Sequence, residues 1–143
     1  MFHHVLCAYD ASPAAEAALS EAIDLAAATR ARLAIITVVE KPSAGVAAAG
    51  VDPERLTQTL QDDAASRMRA VADRVPDDVS LTTLLRIGHA GKEIIRAAAE
   101  LDADIVVLGT RRRGRVTNTL FGSVAADIYY HTRLPLLVVS TPA

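Results

Sequence analysis

The stretch from Asp104 to Val124 reads D-I-V-V-L-G-T-R-R-R-G-R-V-T-N-T-L-F-G-S-V. Its apolar run, Ile105 to Leu108, ends at Gly109. A basic segment follows, holding Arg111, Arg112, Arg113, Gly114 and Arg115, and thirteen residues after Gly109 the pair Gly122-Ser123 opens a helical pattern. An apolar run of this length and β-branched content predicts a strand buried on both faces, as in a parallel sheet. Strand, glycine, basic loop, glycine-serine, helix is also an order suited to phosphate. Bare backbone N–H groups, positive charge and a helix N-terminus all fall within one segment.

Upstream, His3 to Ala8 predicts a first strand ending at Tyr9-Asp10. Ser12-Pro13 marks a helix start, with proline suited to the first turn and Glu16 three or four residues on. Ala15, Ala18, Leu19, Ala22, Ile23 and Ala26 keep a 3.6-residue rhythm, predicting a helix over Pro13 to Thr29. Leu33 to Val39 is a second apolar strand. Lys41 to Gly50, with one proline and two glycines, reads as a flexible connector. Asp52-Pro53 starts a longer, more polar helix that runs to about Val75, stopped by Pro76-Asp77-Asp78. Val79 to Ile87 is a more polar strand suited to a sheet edge, Gly88 to Gly91 a turn, and Lys92 to Leu101 a helix. Ser123 to His131 forms the last of four helices, and Leu134 to Val139 the fifth strand, with Pro135 near its start. Alternation of five strands with four helices predicts an α/β fold, a parallel sheet with right-handed crossovers. Ligands bind such sheets beyond the carboxyl ends of the strands. Asp10 and Gly109 follow two of those ends.

At 143 residues the chain reads as a single domain, 1–143. It is 51% apolar but only 3% aromatic, so alanine and aliphatic side chains must build the core. A net charge of −2 gives no global field toward nucleic acid or an acidic membrane. The single cysteine, Cys7, lies within an apolar run and reads as a buried thiol. No basic n-region with a cleavage site opens the chain, and no apolar stretch reaches the ~20 residues of a membrane span, so the reading is cytoplasmic.

The chain resembles the universal stress protein family over essentially its whole length. V-L-C-A-Y-D-A-S-P-A-A-E-A-A-L (Val5 to Leu19) resembles the family's opening strand and helix. Arg86-Ile87-Gly88 with Glu93-Ile94-Ile95, then A-D-I-V-V-L-G-T, resembles its third and fourth strand region, and Gly122-Ser123-Val124-Ala125 its final helix start. The resemblance implies a five-stranded parallel sheet of order 3-2-1-4-5 with helices on both faces, Rossmann-like and akin to adenine nucleotide alpha hydrolases. It also implies a homodimer through the last strand and ATP or AMP as ligand, with or without Mg²⁺.

By the same resemblance Asp10 stands near ribose or base, Ala8 beneath it, and Val38 offers backbone groups to adenine. Gly109 lets the chain pass close to phosphate, and Gly122, Ser123 and Val124 present N–H groups and a hydroxyl to phosphate oxygens, helped by the arginines. The family signature is G-x2-G-x9-G-[S/T]. Its second glycine falls on Arg112, with Gly114 two residues out of register. Each feature has a plainer reading as well. Asp10 could simply close a turn, Ser123 could be only a helix N-cap, and R-R-R-G-R could be a solvated loop.

The remaining polar residues carry less. Adjacent His3 and His4 point to opposite sheet faces and are poorly placed to share a metal. His89 reads as a solvated turn residue, His131 as meeting a helix dipole, and Tyr129-Tyr130 as packing or dimer-surface residues. No Walker A loop, G-x-G-x-x-G fingerprint or G-x-S-x-G elbow is present. No second carboxylate accompanies Asp10 to orient water or hold Mg²⁺ for phosphoryl transfer. The sequence therefore points to a nucleotide-binding stress-response module, with at most slow hydrolysis. Arg112 motivates an alternative, a nucleotide-free dimeric interaction protein. The protein partner is not specified by the sequence.

Overall fold

The computed structural model describes residues 1–111 and 122–141, for Arg111 the backbone alone. Five parallel strands alternate with helices: β1 His4–Ala8, α1 Pro13–Thr29, β2 Arg32–Val39, α2 Ala44–Ala48, α3 Pro53–Ala72, β3 Leu81–Ile87, α4 Ala90–Glu100, β4 Ile105–Arg111, α5 Ser123–His131 and β5 Leu136–Thr141. The sheet order is β3-β2-β1-β4-β5, so β1 and β4 are neighbours, in register Val5 to Ile105 through Cys7 to Val107.

Side-chain parity along the strands builds two cores. Val5, Cys7, Leu33, Ile35, Ile105 and Val107 face one side, where they meet Ala18, Leu19 and Ala22 of α1 and Met68 and Val71 of α3. Leu6, Ala34, Ile36, Val106 and Leu108 face the other, against Ile94, Ala97 and Ala98 of α4 and Ala125 and Ile128 of α5. Alanine on the inward helix faces lets helix and sheet backbones approach closely, which is how a chain so poor in aromatic residues fills its interior. Cys7 is free and buried, and burial pushes its thiol up to about 12, which disfavours the thiolate near neutral pH.

Several expectations are corrected. The Lys41–Gly50 connector holds the short helix α2, so the described residues contain five helices rather than four. The third helix ends at Ala72 instead of near Val75, and α4 begins at Ala90, inside the expected turn, because His89 caps it. β4 continues past Leu108 to Arg111, paired there with Thr141, so Arg111 ends a strand instead of opening a loop. β5 starts at Leu136, after Pro135, whose carbonyl accepts from the Val106 amide. Glu16, in the first turn of α1, binds away from the helix start. Its carboxylate takes the Arg74 guanidinium at 2.7 Å and the Tyr9 hydroxyl, tying α1 to the chain after α3. The Arg74 hydrogen bond, then that of Tyr9, holds the Glu16 carboxyl below its ordinary range.

Candidate functional site

A cleft of about 360 Å³ opens at the carboxyl edge of the sheet, within the range of small-molecule pockets. Its floor is apolar: Ala8 from β1, Ile36 and Val38 from β2, Leu108 from β4. These four share the parity that faces α4 and α5, and Ala90, Ile94 and Val124 close that side. Asp10, Ser12, Thr110 and Ser123 add polar side chains to the lining.

The chain leaving β1 is held tightly. The Tyr9 amide donates to the Ile36 carbonyl at 2.9 Å, and the buried Thr37 hydroxyl donates to the Tyr9 carbonyl at 2.8 Å. Asp10 Oδ1 accepts from the Ser12 amide at 3.0 Å, spanning Ala11, which sits in the left-handed region at φ +67°. Asp10 thus closes a turn and lines the cleft together. Ser12 Oγ then accepts from the Ala15 amide at 3.1 Å, capping α1.

Three helix starts line the cleft, and they differ in how their first-turn amides are satisfied. Ser12 caps α1. At α4, His89 Nδ1 accepts from the Lys92 amide at 3.3 Å and Glu40 Oε1 from the Ala90 amide at 3.2 Å. The Asp127 carboxylate also lies against the α4 start, where a Cβ on Gly91 would stand 2.1 Å from its Oδ2. His131 Nδ1 is 3.0 Å from Asp127 Oδ1. At α5 the N-cap is Gly122, and among the described residues no side chain caps the helix. Ser123, expected as a possible N-cap, is instead the first helical residue. The Gly122 amide donates to the Thr110 hydroxyl at 3.0 Å. Negative charge at α4 is already supplied by the protein; at α5 none of the described residues supplies it.

Of the residues singled out from sequence, Ala8, Asp10, Val38, Gly109, Gly122, Ser123 and Val124 all line this one cleft. Arg111 ends β4, while Arg112, Arg113, Gly114 and Arg115 lie outside the described residues. Gly109 has a packing role that sequence reading did not find. Its parity points toward α1, where a Cβ would stand 2.2 Å from the Ala14 carbonyl oxygen and 2.8 Å from the Ala15 amide nitrogen. The missing side chain therefore admits the first turn of α1 onto β4. Ile36 and Thr110 were missed; the two-residue alternation from Val38 and Leu108 would have placed both on the cleft face. His89, read as a solvated turn residue, is a helix N-cap. Among the described residues, no group of three His, Cys, Asp or Glu side chains is placed to hold a metal ion, and no helix is long and apolar enough to cross a membrane.

This fold and cleft belong to a known class. A family model described as the universal stress protein family matches residues 1–140. Universal stress protein Sll1654 of Synechocystis is 31% identical over 142 residues, covering 97% of this chain and 86% of the relative. Universal stress protein G of Salmonella typhimurium is 35% identical over 89 residues, and the match spans 62% of each protein's length. Among solved structures, the hypothetical protein MJ0577 superposes with a TM-score of 0.81 at 20% identity, covering 99% of this chain and 97% of the other. A universal stress protein in complex with cAMP superposes at 0.67 with 23% identity and 97% coverage of both. The chain belongs to the universal stress protein family.

Proposed function

We propose that this protein is a regulatory module of the stress response that binds an adenine nucleotide, ATP or AMP, in the cleft at the carboxyl edge of its sheet. The observation that carries the reading is the asymmetry of the three helix starts. Only α5 brings an uncapped first turn to the cleft among the described residues, and a helix start in that condition attracts an anion. The phosphate end then lies over Ser123 and Val124. Asp10, on the β1 side, suits a ribose hydroxyl, and the Ala8, Ile36 and Val38 floor suits an apolar-faced base. The solved relative that holds cAMP shows that this fold accommodates an adenine nucleotide in one family member.

Binding outweighs catalysis in this reading. Asp10 is the one carboxylate among the described lining residues, so none of these both orients water and holds a metal. Mg²⁺ would arrive on the phosphates of ATP. A homodimer through β5 and a cytoplasmic setting complete the proposal; the free buried thiol suits a reducing compartment.

Isothermal titration with AMP and with ATP tests it. Saturable binding is expected, weakened about tenfold or more by Asp10→Ala and by Gly122→Val. Absence of heat with millimolar nucleotide, together with an unchanged melting temperature, would end this reading.

A further inference from the structure

The start of α5 has to be held against β4 for its amides to face the cleft, and one side chain is placed to do this. Thr110 is 6% exposed and shares the cleft-facing parity of Leu108. Its Oγ1 accepts from the Gly122 amide at 3.0 Å, twelve residues along the chain. Gly122 has φ −65° and ψ 165°, a conformation open to any residue, so its glycine is not there for backbone freedom. What a side chain would meet is the same hydroxyl: a Cβ on Gly122 would stand 3.3 Å from Thr110 Oγ1. A β-branched residue in a strand is stiff at χ1, so the oxygen is aimed by the strand backbone itself. On the far side of β1, the buried Thr37 ties down Tyr9 through its own hydroxyl at 2.8 Å. Thr37 is not among the residues lining the cleft.

We infer that Thr110 is a positioning residue for the anionic part of the ligand: it fixes the α5 start through Gly122, so that the Ser123 and Val124 amides meet phosphate. The inference rests on the nucleotide reading above. Its signature is selective, because adenosine lacks the group that α5 would hold.

The test is titration of AMP and adenosine into the full chain and into Thr110→Val, Thr110→Ser and Thr37→Val. Valine keeps shape and strand preference and replaces the hydroxyl with a methyl. Thr110→Val is expected to weaken AMP about tenfold while changing adenosine less than about twofold. Thr110→Ser restores AMP binding to within about threefold, and Thr37→Val lowers the melting temperature without altering the AMP-to-adenosine ratio. Should Thr110→Val fail to fold, Gly122→Ala replaces it, with the same selective loss expected from its methyl crowding the hydroxyl. Equal weakening of AMP and adenosine, unchanged AMP affinity, or tighter AMP binding in the Thr110 variant overturns the inference and leaves the nucleotide reading standing. A parent protein that binds neither ligand overturns both.

Discussion

Gly109 shows how a residue that looks like part of a ligand motif can be required by the fold. Its backbone is that of a strand, and the atoms a methyl would strike, the Ala14 carbonyl and the Ala15 amide, are main chain that cannot swing aside. Gly109→Ala therefore has to push α1 off β4. The expected cost is about 2–3 kcal/mol, seen as a melting temperature lower by about 5–10 °C. A thermal melt unchanged within about 1 °C would show that the helix yields more easily than its backbone contact implies. Ala11 stands at the same scale. Its left-handed conformation, unusual for alanine, is bracketed by the Asp10–Ser12 hydrogen bond, so Asp10 has a structural duty beside any contact with ligand.

Between elements, the join of β1 to β4 at the lower edge of the sheet is made by a carboxylate. Asp104 accepts from the His3 amide at 2.7 Å and the His4 amide at 3.1 Å. Burial alone would raise its pKa, but these amide hydrogen bonds outweigh it and hold the carboxyl below its ordinary value. Because the folded pKa is the lower one, the stabilisation is fully present above the unfolded value near 4. It is lost as pH falls through the folded value. Asp104→Asn should destabilise the protein at pH 7 and by progressively less as pH drops below about 4. Urea denaturation at several pH values measures this; a destabilisation independent of pH would assign the role to packing rather than charge.

For the whole molecule, the two sheet edges are not equivalent. β3 carries Arg86, paired with Glu100 at 2.6 Å, and exposed threonines at 82 and 83. β5 reads L-L-V-V-S-T, without a charge or a proline, and Leu137 is 37% exposed. An uncharged, apolar edge strand invites pairing with another chain. On the proposed dimer, sedimentation equilibrium gives about twice the 15.1 kDa chain mass, and Leu137→Lys shifts it toward the single chain. A parent protein that sediments as one chain at high concentration would remove β5 as the interface.

The amino-acid sequence by itself determined the alternation of strands and helices, the buried central strands and the family, because each rests on local periodicity and on short motifs that survive without knowledge of neighbours. It also pointed to Asp10, Val38 and the Gly122–Val124 helix start. Only the tertiary structure decided that these meet in one cleft, that Gly109 answers to α1, that His89 caps α4 and that Thr110 engages Gly122. The physical reason is distance along the chain. Parallel strands are joined by long crossovers, so the partners of a side chain at the sheet edge come from remote segments, and no pattern within one segment records which of them arrives there.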